Sequence, residues 1–239
     1  VGGGYDPFTL PVKQMIDVGH AADIPVYACL SLSGMQTTVV KNTHLTPQNI
    51  KAWRGAAANA WHAGVDGITS FNVFPQSPGT EQTRWARAVW QNLNDPTALV
   101  GKDKMYCIEN LGFSYTSGYM MRSVPWKDRL PADVSSGATI ERVLPVAEDL
   151  AGVADTLDSL RLRVAFLELQ ADDQVALKIN GTPIEVTAEK PNWVAGDVPP
   201  DVLNKGSNVL SFTYQSGAAP ALTVALVELH VDYKADRSE

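Results

Sequence analysis

The hydrophobic pattern of this sequence changes between its two halves. Residues 1–100 alternate short apolar runs with stretches of helical spacing, and the alternation occurs three times. The run IPVYACLSLS at 24–33 is apolar without alternation, which is typical of a parallel strand covered on both faces. A repeated strand–helix order predicts a parallel sheet with right-handed crossovers, so this half is either a doubly wound sheet or a closed barrel.

The glycine-rich opening VGGGYDPF separates these two architectures. A dinucleotide-binding doubly wound sheet carries the spacing Gly-x-Gly-x-x-Gly between its first strand and the following helix. This opening lacks that spacing, and a proline follows it closely. The sequence therefore favours three βα units of a barrel in residues 1–100, the last of them built on the strand at 66–73.

Residues 139–235 alternate apolar and polar side chains, as in LRLRVAFLEL and NVLSFTYQ. Turn signals such as the Asn-Gly at 180–181 separate these runs. Alternating runs bounded by such turns predict an antiparallel β-sandwich. With the strand at 105–108, we expect about seven or eight strands over residues 105–235, packed against the helices of residues 1–100. We therefore expect three segments: a barrel part at 1–100, a connector at 101–138 with one strand, and a sandwich at 139–239.

Two phrases of the second half, DDQVALKINGTPI and VPPDVLNKGSNVLSFTY, follow the three βα units. This order of parts resembles bacterial glycoside-hydrolase-like (family-10-like) TIM-barrel proteins that carry a C-terminal galactose-binding-like jelly roll. The resemblance implies an α/β plus all-β fold, with the last three βα units of a (βα)8 barrel followed by the sandwich. A complete barrel needs about 200 residues or more. It therefore also implies that the first five strands precede Val1 or come from a companion chain.

The resemblance implies a carbohydrate substrate and hydrolysis of O-glycosidic bonds by two carboxyl groups, a pair that lies largely outside this chain. Barrel enzymes bind their substrates at the carboxyl ends of the strands. Asp6 is the acidic candidate at such an end, with a helix N-cap as its alternative role. Tyr5, Ser33, Asn72 and Phe74 are substrate-binding candidates at the same ends. Loop hydrogen bonding by Asn72 and core packing of Phe74 stay open.

Trp193 lies in a predicted loop of the second half. Its ring has two alternative roles, stacking on a sugar or covering the end of the sandwich. Two rivals to the hydrolase interpretation also stay open. One is a non-catalytic polysaccharide-binding module with a degenerate barrel, and the other is a structural role in which the sandwich supports the barrel.

Composition excludes several other classes of function. The net charge of −7 argues against a nucleic-acid partner, and no apolar run of about 20 residues predicts a membrane span. The motifs HExxH, CxxC, GxSxG and the P-loop are absent, so no metal or cofactor is expected. Cys29 and Cys107 are predicted to be buried free thiols, with a single disulfide as the alternative. The compartment is not fixed by the sequence, and a secreted or periplasmic location fits the resemblance.

Overall fold

A computed structural model of the chain describes Phe8 and residues 12–31, 40–75, 77–109 and 130–234. Three helices lie in this described part: α1 at Val12–His20, α2 at Ile50–Ala63 and α3 at Glu81–Leu93. The strands of the first half are β1 at Tyr27–Ser31 and β2 at Gly67–Phe71.

Strands β1 and β2 form a two-stranded parallel sheet, in register from Tyr27 opposite Gly67 to Ser31 opposite Phe71. Helix α2 connects them, so the order strand–helix–parallel strand predicted from the sequence is present in this part of the chain. The strand expected to end near Tyr5 lies outside the described residues. The three-unit barrel segment is therefore a proposal, and the fold that the structure gives is α/β followed by antiparallel β-sheet.

Helix α2 is defined by its caps and its small side chains. The Asn49 side chain accepts a hydrogen bond from the backbone of Lys51, and Gly64 ends the helix with a left-handed φ of 100°. The buried face of α2 is rich in alanine and contains Gly55. A Cβ atom added at Gly55 would lie 2.1 Å from the carbonyl oxygen of Met105, so the helix backbone packs directly on the next strand.

The second half is an antiparallel sandwich of two sheets. Its strands are β3 Lys104–Ile108, β4 Ala132–Ser135, β5 Thr139–Val146, β6 Leu157–Leu167, β7 Gln174–Ile179, β8 Thr182–Ile184, β9 Thr187–Lys190, β10 Trp193–Asp197, β11 Gly206–Ser216 and β12 Ala221–Tyr233. The six-stranded sheet has the order β3-β12-β6-β10-β9, with β4 also paired to β12, and the four-stranded sheet has the order β5-β11-β7-β8. The sandwich therefore has more strands than the seven or eight expected, because β4, β8 and β9 are too short to show an alternating run.

Strands β3 and β4 come from the segment expected to be a connector, and both pair with the same edge of β12. A continuous hydrophobic core includes side chains of α2, α3 and both sheets of the sandwich. Trp53 of α2 and Tyr106 of β3 are fully buried in it. The parallel pair and the sandwich are therefore joined through α2.

The remaining expectations concern the cysteines and the membrane. Cys29 and Cys107 are both free thiols, Cys107 buried and Cys29 only partly so. Burial, with the nearby charges of Glu228 and Glu109, raises the pKa of the Cys107 thiol well above its usual value. Among the described residues, no helix combines the length and the apolar character needed to cross a membrane.

Candidate functional site

The carboxyl ends of β1 and β2 lie at one edge of the parallel sheet, because Ser31 is opposite Phe71. Asn72 follows β2 directly, is exposed and has a φ of 61°, in the left-handed region. The Phe74 side chain is 66% exposed and that of Phe71 is 49% exposed. Two predicted site residues, Asn72 and Phe74, therefore lie at the edge where a barrel protein binds its ligand. Phe74 is not packed in the core, which was the alternative.

Asp6, Tyr5 and Ser33 lie outside the described residues, and their roles stay predictions. The backbone N–H of Phe8 donates to Oε1 of Glu109, with 3.2 Å between nitrogen and oxygen. Phe8, which is two residues after Asp6 in the sequence, therefore contacts the residue that follows β3.

Glu109 was missed from the sequence, although it is a carboxylate placed directly after an apolar strand. Its side chain is only 2% exposed. The run KMYCIE identifies such a residue, because the acidic Glu109 directly follows a strand that is buried at all five positions. A charge with so little exposure needs partners inside the protein. Glu109 therefore follows a strand as the predicted candidates do, but β3 is an antiparallel strand of the six-stranded sheet and does not belong to the parallel pair.

Trp193 is not a residue of an exposed loop, which corrects one of its two expected roles. It begins β10, its side chain is fully buried, and its indole N–H donates to the carbonyl oxygen of Lys41 at 2.8 Å. The guanidinium carbon of Arg163 lies 4.2 Å from the centroid of its ring. A ring enclosed in this way has no face for a sugar, so Trp193 serves to cover the sheet.

A buried ion pair adjoins Trp193. Arg163 of β6 and Glu228 of β12 are hydrogen-bonded neighbours across two paired strands, and both side chains are almost completely buried. Arg163 also donates to Oε2 of Glu189 at 2.8 Å. Burial alone raises the pKa of Glu228, but the hydrogen bond from His230 and the charge of Arg163 outweigh it and lower the pKa to about 2. Glu228 is therefore ionised in the folded protein at neutral pH.

The alternating run LVELHV of β12 does not predict this cluster, because the partners of Glu228 come from distant segments. The order Glu-x-His places Glu228 and His230 on one face of the strand. His44, from the segment before α2, approaches the same face, so that the three side chains have ligand atoms within 4.8 Å of one another. His44, Glu228 and His230 are the described residues that have the chemistry to hold a metal ion.

A cavity of about 890 Å³ lies between α2, the turn at Pro96–Leu99 and the sandwich. Glu148 is the central polar group on its wall. It accepts hydrogen bonds from the hydroxyls of Tyr106 and Tyr233 and from Nζ of Lys104, at 2.8, 3.0 and 2.8 Å. Burial lowers the pKa of Lys104, and the charge of Glu148 opposes this. None of the predicted site residues that the structure describes lines this cavity.

No protein-family model matches the sequence, and no curated protein matches it. Among solved structures, a β-porphyranase of glycoside hydrolase family 86 from the human gut bacterium Bacteroides plebeius has 12% identity and a TM-score of 0.37, over 56% of this chain and 21% of that chain. BuGH86 in complex with neoagarooctaose has 9% identity and a TM-score of 0.34, over 56% and 20%. FLHE has 11% identity and a TM-score of 0.31, over 56% and 99%. This chain thus spans about a fifth of the first two structures, and TM-scores this low assign it neither a fold nor an activity.

Proposed function

We propose that this chain is the C-terminal portion of a carbohydrate-active, glycoside-hydrolase-like protein. In this proposal, β1 and β2 belong to a (βα)8 barrel whose earlier strands are supplied by a preceding segment or a companion chain. Within the described residues β1 pairs with β2 alone, which leaves both outer edges of the pair available to further strands. Unpaired edges of this kind are normally covered in a folded protein.

The observation that carries the proposal is the pair Asn72 and Phe74 at the carboxyl edge of the parallel strands. An exposed aromatic ring is a surface on which the C–H face of a sugar can stack, and a neighbouring amide both donates and accepts hydrogen bonds with hydroxyl groups. Large exposed apolar side chains that gather at one edge indicate a binding surface. Sugar binding by this edge uses both kinds of group.

The reaction proposed for the complete protein is hydrolysis of O-glycosidic bonds, for which two carboxyl groups are needed. Asp6 is the acid that this chain would contribute, and the other would come from the earlier strands. The sandwich is proposed to be a galactose-binding-like jelly roll that accompanies the barrel.

The test of sugar binding is affinity gel electrophoresis on a panel of soluble polysaccharides. Phe74→Ala and Asn72→Ala should each reduce the retardation that the unmodified protein shows on the polysaccharide it binds. The matched control is Val18→Ala, which removes another exposed apolar side chain, 75% exposed on α1. Equal retardation of Phe74→Ala and the control would contradict a binding role for this edge, as would a failure of the unmodified protein to bind any member of the panel.

A structural role for the sandwich is a second candidate, favoured by the contact between Gly55 and Met105. Helix α2 lies against β3 so closely that no side chain fits between them at this point. In this alternative the sandwich supports the barrel and contributes no binding surface. It predicts that binding residues occur only at the strand ends of the first half.

A further inference from the structure

We propose that His44, Glu228 and His230 form a binding site for one divalent cation of the zinc type. The site lies on the six-stranded sheet of the sandwich and is separate from the strand edge that carries Asn72 and Phe74. It does not depend on the proposed activity toward carbohydrates.

The distances among the three ligand atoms match a tetrahedral ion. Oε2 of Glu228 lies 3.1 Å from Nε2 of His230 and 3.7 Å from Nδ1 of His44. The two histidine nitrogens are 3.4 Å apart. Zinc has bonds of about 2.0–2.2 Å to nitrogen and carboxylate oxygen, so adjacent tetrahedral ligands are about 3.3–3.5 Å apart. The three atoms therefore already form one triangular face around such an ion.

The fold fixes the carboxylate that the ion would use. Oε1 of Glu228 accepts hydrogen bonds from the Thr43 hydroxyl at 2.6 Å, from the backbone N–H of His44 at 2.7 Å and from that of Leu45 at 3.3 Å. These donors occupy one oxygen, while Oε2 faces the two histidines and NH1 of Arg163. A ligand held by hydrogen bonds behind it is the usual support of a metal site.

The accessible side of the cluster is at His44, whose side chain is 48% exposed. Two imidazoles and one carboxylate, completed by a water molecule, form a donor set that zinc accepts in proteins.

Arg163 is the competitor for this site. Its NH1 group donates to Oε2 of Glu228 and approaches Nδ1 of His44 to 3.2 Å, so it uses lone pairs that the ion would need. Its other nitrogens have separate partners, Glu189 at Nε and the carbonyl oxygen of Asn42 at NH2. NH1 is fixed in the plane of the guanidinium, so the ion can bind only when the Arg163 side chain shifts and NH1 leaves both Oε2 of Glu228 and Nδ1 of His44.

The test is equilibrium dialysis of the tag-free protein against zinc chloride, followed by measurement of bound zinc. We expect one zinc ion per chain, with affinity reduced at least tenfold in His44→Ala and in His230→Gln. His44 is half exposed and is replaced without opening the core, while glutamine at 230 retains a donor toward Glu228. The matched control is His62→Ala, which removes an exposed histidine of α2 and should leave zinc binding unchanged.

Thermal unfolding with and without zinc gives a second measurement. An ion bound only to the folded state raises the Tm, and this rise should be present in the control and absent in both cluster variants. Absence of stoichiometric zinc in the unmodified protein would overturn the proposal. So would zinc binding by His44→Ala and His230→Gln equal to that of the control.

Discussion

Gly55→Ala is the substitution that best tests the contact between helix α2 and strand β3. In an isolated helix, alanine is favoured over glycine by about 1 kcal/mol, so helix propensity alone predicts a more stable protein. The structure predicts the opposite result. The new Cβ would lie 2.1 Å from the carbonyl oxygen of Met105, whereas ordinary contacts begin near 3.4 Å.

The magnitude follows from what must move. Met105 offers a backbone atom, which cannot rotate away as a side chain would, so the helix and the strand must separate by about 1.3 Å at this point. Overpacking of a core costs about 1–3 kcal/mol, and a rigid neighbour places this case near the upper end. After the propensity gain, we expect a net loss of about 2 kcal/mol. For a chain of this size, that corresponds to a fall in Tm of about 4–8 °C.

Urea and thermal unfolding of Gly55→Ala measure this loss. His62→Ala is the control, because it changes an exposed position of the same helix and should alter stability by less than about 0.5 kcal/mol. A Gly55→Ala protein as stable as the unmodified chain, or more stable, would refute the reasoning about α2 and β3.

Three further predictions concern buried polar groups, each checked by urea unfolding. The pKa of Glu228 is about 2 in the folded protein and near 4.5 in the unfolded chain, so ionised Glu228 stabilises the fold fully above pH 4.5 and this stabilisation is lost as the pH falls toward 2. The fall in the free energy of unfolding with pH should therefore be weaker in Glu228→Gln, and equal slopes of free energy against pH in the two proteins would contradict this. Asn208→Ala should lower the free energy of unfolding by about 2–3 kcal/mol, because the fully buried side-chain amide accepts a hydrogen bond from the Asn204 N–H at 2.7 Å and donates one to the Asn204 carbonyl oxygen at 2.9 Å. A loss no greater than that of Ser211→Ala would refute this. Tyr106→Phe should lower the free energy of unfolding by about 1.5–3 kcal/mol, because the buried hydroxyl donates a hydrogen bond to the carboxylate of Glu148. An unchanged urea midpoint would show that this hydrogen bond does not stabilise the protein.

Local patterns in the sequence were sufficient for the element types. The apolar run around β1 and the alternation in β6 and β12 correctly indicated parallel and antiparallel strands. The phrase VLNKGSN also has a physical basis, since Gly206 adopts a φ of 103° and Asn208 closes the turn with its amide. These features depend on neighbours in the sequence and can therefore be predicted from it.

Contacts between distant segments could not be predicted in the same way. Alternation in β6 suggests that Arg163 faces solvent, but the segment 40–45 covers that face and buries the side chain. Proline, asparagine and glycine around Trp193 suggested a loop, whereas pairing with β6 makes this segment a strand. Likewise, the sequence predicts the strand β3 but not its pairing with β12, because that partner lies more than a hundred residues away. In each case the deciding partner is remote along the chain.

The position of α2 has a consequence for how such a chain can change during evolution. One surface of the helix contacts the strands of the first half, and another contacts β3 and β5 of the sandwich. A recombination event near residue 100 would therefore divide a single core and join a helix to a sheet with a different shape. The transferable unit is the sandwich together with the helix surface that fits it, so exchange of the sandwich alone would require compensating changes at positions such as Gly55.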